Sequence, residues 1–422
     1  MRALLEESFR AAVAAADPLR ILAGHLPSPP RGRTLVVAAG KAAASMALAV
    51  ERAWPAGAPL EGLAVTRYRH ALPTERIRVV EAGHPVPDAA GEAAAREMLE
   101  RVRALEKDDL LLALVSGGGS SLLSLPADGL SMADLKAVTS QLLRCGAAIQ
   151  EINTVRKHLS AIQGGRLAAA CKAAVLALIV SDVTGDDPTH VASGPCAADP
   201  TTYRDALEAL HKYGVVPPAA VRARLEEGAR GGIAETPKPG DAAFERVENR
   251  VIATAHASLE AAGAVFAVRG IRPVILGDTV TGEAAEVAKV LAAFVRELRR
   301  YRSPFPPPVA LISGGECTVT LRAEGGRGGR CSEFLLALAI ELEGVPAIHA
   351  LAADTDGIDG SEDNAGALLA PDTLSRAHAA GLDARKLLAG NDSYAFFAAL
   401  GDLLVTGPTR TNVNDYRAIV VA

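Results

Sequence analysis

Residues Thr34–Val50 read TLVVAAGKAAASMALAV. Six uncharged residues, five of them apolar, run into Gly40-Lys41, and an alanine-rich stretch free of Gly and Pro follows at once. A short apolar run closed by glycine is how a strand buried on both faces appears in sequence, and the segment after it suits a helix. The pair therefore predicts strand, tight turn and helix, the repeating unit of a parallel sheet covered by helices. The same grammar returns at Asp109–Leu123 (DLLLALVSGGGSSLL) and at Ala173–Asp187 (AAVLALIVSDVTGDD). Strands are expected over Thr34–Ala39, Leu110–Val115, Val175–Val180, Val251–Thr254 and Pro273–Leu276. Amphipathic helices are expected over Gly91–Leu105 and Glu283–Arg299, and Ser131 with Asp134 reads as a helix start.

The chain has 422 residues, longer than the roughly 250–300 that one core sustains, so two domains are expected. The glycine- and proline-rich stretch 231–240 (GGIAETPKPG) marks the boundary, dividing the chain into 1–240 and 241–422. Beyond Pro308, closely spaced strands at Val309–Ile312, Cys317–Arg322, Ala347–Ala352, Leu403–Thr406 and Ala418–Val421 suggest a mixed sheet. The chain carries 44 basic and 49 acidic residues, so the basic excess of a nucleic-acid binder is missing. No run reaches the ~18 apolar residues of a membrane span. The amphipathic N-terminal pattern is unlike a signal peptide and offers a face that could cover a neighbouring subunit, leaving monomer or homodimer open. Five widely spaced cysteines without a CxxC pair read as reduced, mostly buried thiols of a cytoplasmic protein.

Several stretches carry groups suited to chemistry. Gly40-Lys41 joins a turn to one ammonium at a helix start, an arrangement that favours anions. Only 9 of the 44 cations are lysine, which makes this one conspicuous. Ser116, Gly117, Gly118, Gly119 and Ser120 form a turn whose amides can make a concave nest for phosphate. Asp182, Asp186 and Asp187 follow an apolar strand, at the strand end where open α/β sheets bind ligands. Arg327 and Arg330 sit in the string AEGGRGGR, and Asp354, Asp356 and Asp359 crowd ALAADTDGIDG. The string LISGGECT echoes the first glycine turn, and Ser313, Gly314, Gly315 and Glu316, with Asn412 of VTGPTRTNVNDY, join the candidate nucleotide contacts. Arg156, Lys157 and His158 on a predicted helix read as a solvated cationic face. The GxGxxG dinucleotide fingerprint and the GxSxG elbow are both missing.

Taken in order, AAGKAAASMA, VSGGGSSLL, NTVRKHLSAIQGGRLA, SDVTGDDPTHVASGP, ISGGECTVT, GGRGGR-SEF, ADTDGIDG and TGPTRTNVND make the chain similar to the glycerate 2-kinase family with its C-terminal MOFRL domain. The resemblance runs from about residue 35 to 416. It implies ATP-dependent phosphorylation of D-glycerate to 2-phosphoglycerate with a divalent cation. It also implies an α/β fold, in which a Rossmann-like N-terminal domain with a parallel sheet is followed by a smaller mixed α/β MOFRL domain, with the active site in the interdomain cleft. Lys41 and Arg330 resemble the pair assigned to phosphate handling. The chain departs from the family at Cys331-Ser332-Glu333-Phe334, where NQEF is common, and at Arg410, where glycine is common.

From these residues we expect Lys41 and Arg330 to stabilise the transferring phosphoryl group and Asp182 or Asp187 to accept the hydroxyl proton. Mg²⁺ is expected at Asp186, Asp354 and Asp356. Two other readings are an NAD(P)H-dependent hydroxypyruvate reductase, a name often attached to relatives of this family, and a non-catalytic sugar-acid sensor.

Overall fold

The computed structural model describes residues 1–322, 325–343 and 345–422, so Ala323 and Glu324 of the glycine-rich string, and Gly344, lie outside the described residues. Packing divides the chain into two units, one of Pro18–Ile252 and one of Met1–Asp17 with Ala253–Ala422. The 231–240 stretch thus lies inside the first unit.

In the first unit β1 (Thr34–Ala39), β2 (Leu60–Arg67), β3 (Ile77–Ala82), β4 (Leu110–Ser116), β5 (Ala174–Val180) and β6 (Val247–Ala253) form one sheet in the order β3-β2-β1-β4-β5-β6. Strands β1 to β5 run parallel. Every residue of β1 and β4 is buried, as expected for strands covered on both faces. Alternation sends Leu35, Val37 and Ala39 of β1, with Leu111 and Ala113 of β4, into one apolar cluster. Ala94, Ala95, Met98, Leu99 and Val102 of the Ala89–Arg103 helix meet them there, at the three-to-four spacing of one helix face. Asp88 starts that helix by accepting from the Gly91 amide at 3.0 Å. The helix start at Ser131 and Asp134 is a full capping box. Helices Met132–Arg144, Ile149–Leu159, Tyr203–Lys212 and Ala219–Ala229 share a separate apolar cluster, so this layer carries its own core.

The second unit is built on a mixed sheet. β7 (Arg272–Gly277), β9 (Val309–Ser313), β11 (Ile348–Asp354), β12 (Gly366–Leu369), β13 (Leu403–Leu404) and β14 (Asp415–Val421) lie in the order β13-β12-β11-β14-β9-β7, and β8 (Gly282–Glu283) pairs with β10 (Cys317–Thr318) apart from it. Only the β7/β9 pair of the large sheet is parallel. Its central strands alternate cleanly. Val309, Leu311, Ala350, Ala352, Ile419 and Val421 face helices Ala284–Tyr301 and Arg330–Glu341. Ala310, Ile312, Leu351, Ala353, Ala418 and Val420 face helices Arg2–Ala15 and Ala255–Val268. The Arg330–Glu341 helix is apolar nearly all round, and residues 331–340 are all buried.

The N-terminal helix therefore spends its apolar face within its own chain. Leu5, Phe9 and Ala12 pack with Leu259, Ala262 and Phe266, and the Tyr416 hydroxyl donates to Ser8 Oγ at 2.7 Å. The strands expected over Cys317–Arg322 and Leu403–Thr406 shrink to two residues each. All five cysteines are free thiols and four are buried. Among the described residues no helix is long and apolar enough to cross a membrane.

Candidate active site

In the first unit the strand order turns back between β1 and β4, and an open α/β sheet binds its ligand outside the carboxyl ends of strands at such a reversal. The two strand ends are level, Ala39 beside Val115, which puts Gly40-Lys41 next to Ser116–Gly119. Two hydrogen bonds join them: the Lys41 amide donates to Gly117 O at 2.8 Å, and the Ala42 amide to Ser116 Oγ at 3.1 Å. Ser116 is fully buried, so its hydroxyl shapes the turn. Gly40 has φ +129°, and a Cβ there would stand 2.2 Å from Ser116 Oγ and 2.5 Å from Ser116 O. Gly40→Ala is therefore expected to cost about 1–3 kcal/mol from the backbone conformation alone, before the clash. An unchanged urea midpoint would refute that reading of the turn.

Gly118, with φ +79°, lies against the Lys41 side chain and the His84 ring, and Gly119 leaves room for Ala192. Ser120 Oγ meets Ser193 Oγ at 2.9 Å, and Ser193 Oγ donates to Asn153 Oδ1 at 3.2 Å. Gln163 Nε2 donates to Ser120 O and Leu123 O at 3.0 and 3.1 Å, fixing the far side of the turn. The glycine turn, the 190s loop and the Ile149–Leu159 helix thus form one polar network. Beyond β5, Asp182 and Asp186 are half-buried, Asp186 with φ +54°. Asp187 is exposed and its Oδ1 accepts from the Thr189 amide at 2.8 Å, the role of an aspartate that shapes a turn.

The solvated cationic face expected at Arg156, Lys157 and His158 is not what forms. Lys157 and His158 are fully buried, and Lys157 Nζ pairs with the equally buried Asp199 at 3.2 Å. Burial works against the Asp199 charge, but Lys157 and the Thr201 hydrogen bonds outweigh it and hold the carboxyl below its ordinary range. The sequence pattern reported charge without its partner, which lies 42 positions away.

In the second unit Arg330 opens a buried helix and faces three carboxylates. Its Nε donates to Asp415 at 2.7 Å, one NH2 group to Asp354 at 2.7 Å, and the other lies 3.0 Å from Glu316. Burial opposes the guanidinium charge, yet Asp415, Asp354 and Glu316 keep it protonated well above its usual range. Arg417, only 1% exposed, pairs with Asp415 and donates to Gly314 O and Gly315 O at 2.9 and 3.3 Å, so it anchors the Ser313–Glu316 turn. Asp415 stands out in the sequence only as part of the polar VTGPTRTNVNDY stretch and Arg417 not at all, because nothing in local spacing joins them to Arg330. The TGPTRTNVND loop is tied to the acidic loop: Thr409 Oγ1 donates to Thr355 O, and the Val413 amide to Thr355 Oγ1. Asn412 is buried, its Oδ1 accepting from the Asn414 amide.

Asp359, expected in the acidic cluster, instead caps the Arg330–Glu341 helix. It accepts from the Cys331 and Ser332 amides and from Ser332 Oγ, so Ser332 acts here as part of the helix start. Burial and the Asn391 amide act oppositely on Glu333, with burial prevailing and raising its carboxyl. A cavity of about 290 Å³ is lined by Arg330, Glu333, Asn391, Cys317, Val319 and Leu321, among others.

Asp354 and Asp356 offer hard oxygens, yet Asp354 also serves Arg330 and the Asp356 amide. Among the described residues no group of three or more His, Cys, Asp or Glu side chains is arranged as a metal site. Two carboxylates fit Mg²⁺ that arrives on substrate phosphates and keeps its waters, and not a cage that holds the ion by itself.

Comparison with known proteins adds the family. A model described as “Domain of unknown function (DUF4147)” matches residues 4–226, and one described as “MOFRL family” matches residues 309–415. A protein of Agrobacterium vitis named “Putative hydroxypyruvate reductase” is 51% identical over 100% of this chain and 94% of its own. A protein of Pyrococcus horikoshii named “Glycerate 2-kinase” is 40% identical over 93% of this chain and 87% of its own. The crystal structure of a glycerate kinase from Thermotoga maritima superposes with a TM-score of 0.86 at 37% identity, covering 100% of this chain and 99% of that one.

Proposed function

The chain belongs to the glycerate 2-kinase family with a C-terminal MOFRL domain, and from that premise we propose that it transfers the γ-phosphoryl group of ATP to the 2-hydroxyl of D-glycerate. The products are 2-phospho-D-glycerate and ADP. What carries the reading is the likeness to proteins named glycerate 2-kinase along nearly the whole chain, in sequence and in fold. The reductase name of the Agrobacterium relative meets no dinucleotide fingerprint here, since β1 ends in Gly40-Lys41 where GxGxxG would be required.

Phosphoryl transfer asks the protein for positioning and charge neutralisation more than for covalent chemistry. Lys41, at the β1–β4 reversal, is suited to neutralise charge on the phosphoryl group as it moves. The side-chain-free Gly117–Gly119 turn lets backbone amides approach phosphate oxygens. Arg330 brings a permanent cation whose direction is fixed by Asp354 and Asp415. Asp182, half-buried at the end of β5, is better suited than exposed Asp187 to accept the 2-hydroxyl proton. Asp354 and Asp356 would hold Mg²⁺ brought by ATP, with Asp186 the remaining candidate. Bound there, the ion supplies charge neutralisation to the β- and γ-phosphates.

Incubation with ATP, Mg²⁺ and D-glycerate, followed by phosphorus NMR, is expected to show 2-phosphoglycerate and ADP in equal amounts. A 3-phosphoglycerate signal, or NADH oxidation with hydroxypyruvate in the absence of ATP, would overturn the assignment.

A further inference from the structure

Arg156 stands on the Ile149–Leu159 helix, and among the described residues the one group it meets is a neutral amide, Asn153 Oδ1 at 3.1 Å. Among the described residues no carboxylate pairs with it. The other cations of this region are all engaged: Lys157 by Asp199, Arg166 by the carbonyls of Lys157 and Gln163, and Arg224 by those of His158 and Asp128. Arg166 already serves the end of the helix, so Arg156 is not needed as its cap. A cation drawn into a protein ordinarily brings its counter-ion with it. Arg156 is half-buried, and with no opposing carboxylate that burial pushes the guanidinium down to about 10.

The amide that holds Arg156 belongs to the polar network of the glycine turn. Asn153 Oδ1 also accepts from Ser193, Ser193 meets Ser120, and Ser120 directly follows Gly119. Ser193 reaches this position through an unusual backbone: Ala192, Ser193 and Gly194 have φ of +51°, +58° and +60°. Two non-glycine residues in succession in the left-handed region are costly, and such conformations gather at ligand sites. The strain turns Ser193 Oγ toward Ser120 and Asn153.

We propose that Arg156 binds the carboxylate of the acceptor acid, with buried Asn153 and Ser193 positioning its guanidinium from behind and Ser120 linking them to the glycine turn. A planar guanidinium fork matches the two oxygens of a carboxylate. The shared oxyanion chemistry would also admit a nucleotide phosphate, which the test separates. The substrate class rests on the kinase reading above, whereas the anion site rests on the geometry alone.

Arg156→Gln and Arg156→Lys are to be compared with the unmodified protein for the KM of D-glycerate and of ATP, and by calorimetric titration with D-glycerate in the absence of ATP. We expect the KM for D-glycerate to rise about 10- to 100-fold in Arg156→Gln, less in Arg156→Lys, with the KM for ATP unchanged. Calorimetric affinity for D-glycerate should fall in parallel. A rise confined to the KM for ATP would overturn the carboxylate assignment in favour of phosphate. Unchanged constants in both variants, or a lowered melting temperature with unchanged D-glycerate affinity in Arg156→Lys, would make Arg156 structural. If the unmodified protein binds D-glycerate without phosphorylating it and Arg156→Gln loses that binding, the kinase reading fails and the anion site stands. If the unmodified protein neither binds nor phosphorylates D-glycerate, both fail.

Discussion

Replacing Lys41 by alanine is expected to lower kcat about 10²- to 10³-fold, the usual consequence of deleting one preorganised charge from a transition state. The fold should survive. The Lys41 amide bond to Gly117 O does not depend on the side chain, and neither does the Ser116 bond to Ala42 that closes the same turn. What alanine removes besides the ammonium is the aliphatic stem lying against Gly118. Lys41→Met retains much of that stem and should lose turnover to the same extent. Turnover by initial rates, read beside the melting temperature, decides the matter: near-normal kcat in Lys41→Met would sink the assignment of the ammonium to the phosphoryl group.

Arg330→Ala should differ in kind, because it is expected to lose both turnover and stability. Truncation leaves Asp354 and Asp415, each 2% exposed, without the guanidinium that bridges them. Removing one member of a buried ion pair costs about 3–5 kcal/mol, since the remaining charge is left uncompensated. For a unit of this size that is a fall in melting temperature on the order of 10 °C. Arg417 still holds one oxygen of Asp415, which keeps the loss at the lower end of that range. Arg330→Lys keeps a charge but cannot present three directed donors, so it should recover stability in part and turnover little. Full activity together with a lowered melting temperature would show that Arg330 only organises carboxylates.

The contrast between these two variants follows what was readable along the chain. Lys41 was legible because glycine and lysine at the end of a buried strand are locally unusual. The central strands β1, β4 and β5 were legible as unbroken apolar runs. Strands β2 and β3 mix charged residues into their runs and were not among those expected, since strands toward a sheet edge need less apolar surface. Assemblies drawn from distant segments were illegible. Arg330 meets Asp415 across 85 positions, and Ser120, Asn153 and Ser193 meet only after a turn, a helix and a loop from separate segments have folded together. Hydrophobic periodicity likewise reports that a helix has an apolar face and is silent about what covers it. That is why the N-terminal helix could have been assigned to a neighbouring subunit.

That helix also sets an order of events during synthesis. It is made before the contiguous Pro18–Ile252 unit, whereas Leu259, Ala262 and Phe266, which bury it, are made only after that unit is complete. At about 5–20 residues per second its Leu5, Phe9 and Ala12 face must wait roughly 10–50 s beside a ribosome before its partners emerge. The second unit is therefore completed only when segments from both sides of the Pro18–Ile252 unit have been made.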